Sequence, residues 1–166
     1  MTNLQQPCAN LRRNLQQHLL LARRLLRFTK EQSEVLVSGD IRRLSEIEEQ
    51  QRDTIAQQQA LEPQREEATR ALIAVLGLSK ESRLTEFLPN LPLEEQKAFT
   101  QIRKELLKVQ EELSEVKQRN IRLLENALEF AQVSLESLTQ TVFKTSRYGT
   151  NLMALSAPAF LLDSRA

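Results

Sequence analysis

No glycine and no proline falls between Leu93 and Tyr148, and across that span apolar residues recur three and four positions apart. Phe99, Ile102, Leu106, Val109, Leu113, Val116, Asn120, Leu123, Ala127 and Phe130 alternate 3 and 4 without a slip, with Asn120 the one polar member. Leu124, Leu128, Ala131, Leu135, Leu138 and Val142 continue on an adjoining row. This is the period of an α-helix with one apolar face. The pattern predicts a single helix over about 93–146, roughly 75 Å long at 1.5 Å per residue. So long a periodic run without caps belongs to a coiled coil or an extended bundle.

Two more stripes precede it. At about 100° per residue, Leu4, Cys8, Leu11, Leu15, His18, Leu19, Ala22, Leu25, Leu26 and Leu36 share a stripe about 120° wide, the width of a core-facing helix. Arg12, Arg13, Arg23, Arg24, Arg27 and Lys30 gather on the opposite side. A helix over about 4–37 is expected, ended by Ser38-Gly39-Asp40. Gly39 suits the left-handed position after a helix, and Asp40 suits the cap of the next one. The second stripe is Ile41, Leu44, Ile47, Gln51, Ile55, Gln58, Leu61, Arg65, Ala68, Leu72, Val75 and Leu76, closed by Gly77. It predicts a helix over about 40–76. Pro63 inside it lacks an N–H and clashes with the carbonyl four residues back, so a kink is expected there.

The Ser38–Asp40 link is short enough to force an antiparallel hairpin. Each of its helices reaches roughly 50 Å, so the third outruns them. Leu78 to Pro92 reads as the long loop, with room for one or two turns at Ser82–Leu88. Residues 1–147 therefore read as one all-α domain: an antiparallel helical hairpin packed along a long third helix, in an elongated coiled-coil-like bundle. Residues 148–166 read as a flexible apolar tail. Leu152, Leu155, Ala159 and Leu162 share a helical face interrupted by Pro158. Either the tail orders against a partner, or it folds back to cap the bundle.

Composition narrows the function. Ala, Glu, Lys, Leu and Arg make up 86 of 166 residues, the usage of long helices. Aromatics are 4% with no Trp, which leaves no base-stacking platform. Net charge is +1, so no bulk field draws nucleic acid or an anionic membrane. No apolar run approaches the roughly 20 residues of a membrane span. The first residues lack the basic and then apolar order of a signal peptide. A soluble chain is expected, and the lone Cys8 fits a reducing cytoplasm.

Residues able to carry chemistry are few. One Cys and one His exclude disulfide frameworks and Cys/His zinc sites. Cys8 and His18 lie roughly 15 Å apart along one helix, too far to act together. The glutamate doublets Glu48-Glu49, Glu66-Glu67, Glu94-Glu95 and Glu111-Glu112 point about 100° apart and cannot pinch one substrate. A di-metal bundle would need Glu-x-x-His repeats, and Leu15 stands three residues before His18. No Gly-rich phosphate loop is present. No catalytic, cofactor or metal residue is assigned, and no enzyme activity is expected. His18 on its apolar stripe reads as a half-buried neutral imidazole at a helix seam. Gln51, Gln58, Arg65 and Asn120, inside apolar stripes, either fix register or face a partner. The basic face of the first helix either pairs with another helix or meets solvent, phosphate or lipid.

Val35-Leu36 before Gly39-Asp40, then Leu44, Ile47 and Glu48, are joined by Arg70, Leu72-Ile73 and Leu76-Gly77. With Asn120-Ile121-Arg122-Leu123-Leu124-Glu125 and Leu128 in the last helix, these residues resemble the FlgN-like chaperones of the bacterial flagellar export system. Helix order and lengths agree over roughly 10–145, and Tyr148-Gly149 matches a Tyr followed by Gly in that family. The resemblance implies a cytoplasmic protein without enzyme activity, a monomer or weak homodimer. Its partners would be hook–filament junction proteins, bound through their C-terminal amphipathic helices, and the export apparatus. It implies neither nucleic acid nor a membrane span.

From the residues, Leu124, Leu128, Leu135 and Leu138 lack a fixed neighbour where the third helix outruns the hairpin, and a guest helix can fill that gap. Asn120, Leu123 and Tyr148 join them as candidate partner contacts. Two other readings use the same features. A structural or adaptor coiled coil would use the seam for self-association, and a nucleic-acid or membrane-surface binder would use the basic first helix.

Overall fold

The computed structural model describes residues 4–78 and 84–148, with side chains left out at 85 and 142–148. The described residues are helical in long runs: α1 (Gln5–Ser38), α2 (Ile41–Leu76), the single turn α3 (Leu84–Phe87) and α4 (Leu93–Tyr148), with a 3₁₀ turn at Leu88–Asn90. Among them there is no strand. The tail 149–166 lies outside the described residues.

The hairpin turn is made as its residues dictate. Gly39 adopts φ +72° and its N–H donates to Val35 O at 2.9 Å. Asp40 Oδ1 accepts from Arg43 N–H at 3.0 Å, capping α2. Arg43 Nε also reaches Glu31 across the turn at 3.1 Å. At the other end of α2, Gly77 at φ +68° donates to Ala74 O and Leu78 N–H donates to Ile73 O, both at 3.2 Å. A side chain at either glycine would have to hold a left-handed backbone that L-residues disfavour. α2 continues through Pro63 without ending.

The chain falls into two compact units that meet in sequence at Leu124/Glu125. In the first unit, α2 runs back along α1, and α4 runs parallel to α1. Three clusters hold this unit together. At the open end of the hairpin, Cys8, Leu11, Leu72, Ile73, Phe87, Leu91 and Phe99 pack together, so Phe87 and Leu91 plug the bundle. Midway, Leu19 and Leu26 of α1 meet Val109 and Val116 of α4, with Ala22, Leu106 and Leu113 beside them. Near the turn, Phe28 and Val35 pack on Ile47 and Leu44. The second unit, described by itself, is the helical stretch 125–148.

The α2 seam departs from the sequence reading in one respect. Ile55, assigned to the stripe, is 39% exposed, and Ile41 is exposed as well, while Thr54 is fully buried. The seam follows strict 4-3 spacing through Ile47, Gln51, Thr54, Gln58, Leu61, Arg65, Ala68 and Leu72. That is a heptad pattern, in which position 54 faces the partner and 55 does not. Thr54 tolerates burial because its hydroxyl donates to Gln50 O at 2.7 Å.

Leu72 is fully buried at the meeting of all three segments, whereas Leu20 is 66% exposed. Leu72→Ala is expected to destabilise the fold by about 2–5 kcal/mol. Leu20→Ala should stay within about 0.5 kcal/mol. Urea titration of the two variants checks the contrast, and equal losses would contradict this packing.

Candidate partner-binding surface

α4 changes character along its length. Phe99, Ile102, Val109 and Val116 are buried, with Leu106, Leu113 and Leu123 partly so. Asn120 is 4% exposed. Its Nδ2 donates to Thr29 O at 3.0 Å and Gln32 Oε1 at 3.1 Å, and its Oδ1 accepts from Ser33 Oγ. From α2, Gln51 Nε2 donates to Thr29 Oγ1 at 3.2 Å and Gln32 Oε1 at 3.3 Å. Thr29 Oγ1 in turn donates to Leu25 O at 2.8 Å. One polar layer thus joins α1, α2 and α4. Asn120, placed above among the candidate partner contacts, lies inside the bundle with its amide donors engaged there.

The other candidates stand differently. Leu124, the last residue of the first unit, is 44% exposed. In the second unit Leu128 is 70% exposed, and Leu135 and Leu138 are each 63% exposed, with Phe130 and Val133 also open to solvent. At about 100° per residue, Leu124, Leu128, Leu135 and Leu138 share a sector about 80° wide, the row adjoining the one that runs through Ala127 and Phe130. Leu128, Leu135 and Leu138 thus form an exposed apolar row of the second unit. The side chain of Tyr148 lies outside the described residues. A run of exposed large apolar residues on one register is what a docking face for another helix looks like.

Half of the basic side of α1 pairs with α4. Arg12 pairs with Glu95 at 3.0 Å, Arg23 with Glu105 and Lys30 with Glu112. The Lys30 ammonium holds the Glu112 carboxyl below the usual range. Arg24 and Arg27 lie over the Phe28 ring, 5.6 and 5.1 Å from its centre. Three of the six cations named for this face are thus paired with carboxylates of the bundle.

Residues 8–154 match the family described as FlgN protein. The chain belongs to the FlgN family. No curated protein and no solved structure matches it. Membership of FlgN makes it a flagellar export chaperone in general terms. The all-helical bundle read from the stripes is the architecture found. Among the described residues of this FlgN chain, no helix is long and apolar enough to cross a membrane, and no group of three or more His, Cys, Asp or Glu could hold a metal ion.

The one histidine of this FlgN chain sits at the α1–α2 seam with its side chain 15% exposed. Its Nε2 is buried without a hydrogen-bond partner, 3.9 Å from Glu62 Oε2. Burial pushes the imidazole pKa below its ordinary value, against the opposing pull of Glu62. The unfolded chain therefore binds this proton more readily, and the fold loses stability as pH falls through about 6.5, levelling off below the folded value. Above that range the residue is neutral in both states and contributes no slope. Glu62, whose pKa is lowered by its hydrogen bond to Arg65, adds its own loss only below about 4.5, the ordinary carboxylate range. The melting temperature should decline between about pH 7 and pH 5, and His18→Gln should flatten that limb. An unchanged slope in the variant would place the proton elsewhere.

Proposed function

We propose that this chain is a cytoplasmic chaperone of hook–filament junction proteins, which holds their C-terminal amphipathic helix and hands them to the export apparatus. Its bundle domain is the presenting scaffold, and it works as a monomer or weak homodimer, without nucleic acid. The observation that carries this reading is the exposed apolar row Leu128, Leu135 and Leu138 of the second unit. A guest helix covers this row.

The energetics suit a reversible chaperone. Burying one leucine contributes about 1.5–3 kcal/mol, so a row of three or four can hold a helix. Part of that gain is offset by ordering the guest and losing its free motion, typically several kcal/mol. The balance favours capture that can be released at the export apparatus. Asn120 is engaged within the bundle rather than by the guest.

Leu128→Asp and Leu135→Asp each set an unpaired carboxylate in the apolar contact. Each should weaken capture of a junction-protein C-terminal peptide by about tenfold or more, measured by calorimetric titration. Both positions are exposed, so the melting temperature should hold. Unchanged affinity in folded variants would put the client site elsewhere.

A further inference from the structure

Between residues 125 and 141 the chain carries three acidic side chains, Glu125, Glu129 and Glu136, and no basic one, although its overall net charge is only +1. All three are exposed. Among the described residues none of them enters an ion pair. Spaced by four and seven positions, they share a sector about 40° wide, lying about 110° round the helix from the Leu128–Leu135–Leu138 row. The opposite flank, at a similar angle, holds Phe130, Ser134, Ser137 and Thr141, none of them charged. The surface is thus an apolar row with one acidic edge and one neutral edge.

Near its start, the same helix shows how such a surface accepts a neighbour. α1 lays Leu19, Ala22 and Leu26 on Leu106, Val109, Leu113 and Val116. Alongside that apolar seam it sets Arg12, Arg23 and Lys30 against Glu95, Glu105 and Glu112. The apolar contact supplies the affinity, and the file of opposite charges selects the partner and its register.

We infer that the helix accepted by residues 125–141 is amphipathic with a file of lysines or arginines along one edge of its apolar face and no charge along the other. This rests on the chaperone reading above and specifies the chemistry of the guest. Neither the C-terminal residues nor the same stretch of a second copy offers such a match. Residues 148–162 carry no charged side chain and cannot answer three carboxylates. A second copy would set glutamates against glutamates in antiparallel pairing, or against the neutral flank in parallel pairing, and neutralise none of them.

The test uses the full chain and two synthetic helical peptides with the same leucine face, one with lysines and one with glutamates along a single edge. Fluorescence anisotropy at low salt should find the lysine-edged peptide bound at least about tenfold more tightly, the order expected of three exposed charge pairs. The preference should collapse at about 0.5 M salt, where the Debye length is only a few ångströms. It should also collapse in the triple variant E125Q/E129Q/E136Q, whose circular dichroism should match that of the parent. Charge-blind binding that Leu128→Asp abolishes would overturn this inference and leave the chaperone reading standing. Binding of neither peptide would overturn both. A preference that survives in the triple variant would also overturn it, since the cations would then be read by other residues.

Discussion

The side-chain amide of Asn120, clasped by Thr29, Gln32 and Ser33 of α1 in a layer that Gln51 of α2 completes, is the contact on which the helix register depends. The α1–α4 seam before it is built from leucine, valine and alanine at heptad spacing. Such seams are nearly degenerate, because a slip of seven residues replaces one aliphatic side chain with another. The polar layer is not degenerate. Sliding α4 by one heptad would bury the amide without partners, at about 1–3 kcal/mol for each orphaned group, while the bonds of Gln51 to Thr29 and Gln32, made between α2 and α1, would stay. That penalty rivals the whole gain from burying a leucine. Register is therefore held by a few hydrogen bonds, while cohesion comes from the apolar clusters.

The other polar contacts rank below these two. The pairs of Arg12, Arg23 and Lys30 with α4 glutamates are partly exposed, where screening and side-chain entropy leave such bridges with little net worth. Their effect is directional: they agree with the parallel course of α4 along α1 and oppose the reverse course. The hairpin turn and the Phe87–Leu91 plug close the two ends of the first unit. α1 ends at Ser38, six residues after Gln32, so few α1 side chains remain to cover α4 beyond the polar layer.

Much of this was legible in the residues because apolar period and glycine placement act locally. The long helices, the Gly39 turn, the antiparallel hairpin and the long last helix all follow from spacing. The polar interruptions pointed to the layer at Asn120 without naming its partners, since partners are set by the meeting of three helices. Hydropathy favours Ile55 for the seam, but the 4-3 phase gives the place to Thr54. Phe28 and Asn14 are buried although they lie off the assigned stripe, because α1 packs against both α2 and α4 and needs a wider buried face than either. Phe87 and Leu91 sit in a stretch with no period at all, and only tertiary packing gives them their place. At the candidate surface, the leucines were legible and the acidic edge was not, because glutamates on a helix ordinarily signal solvent alone.

The proposed function rests on a contrast between the two units. In the first, the apolar row of α4 is covered by α1 and the hairpin, and it stabilises the fold. The second carries an exposed row of leucines without cover among the described residues. Amide hydrogen exchange along α4, in the free chain and with a junction-protein C-terminal peptide bound, tests this most directly. Residues 99–120 should be protected in both states, with new protection on binding confined to about 124–141. New protection along α1 or over 99–116, or none at saturating peptide, would contradict it.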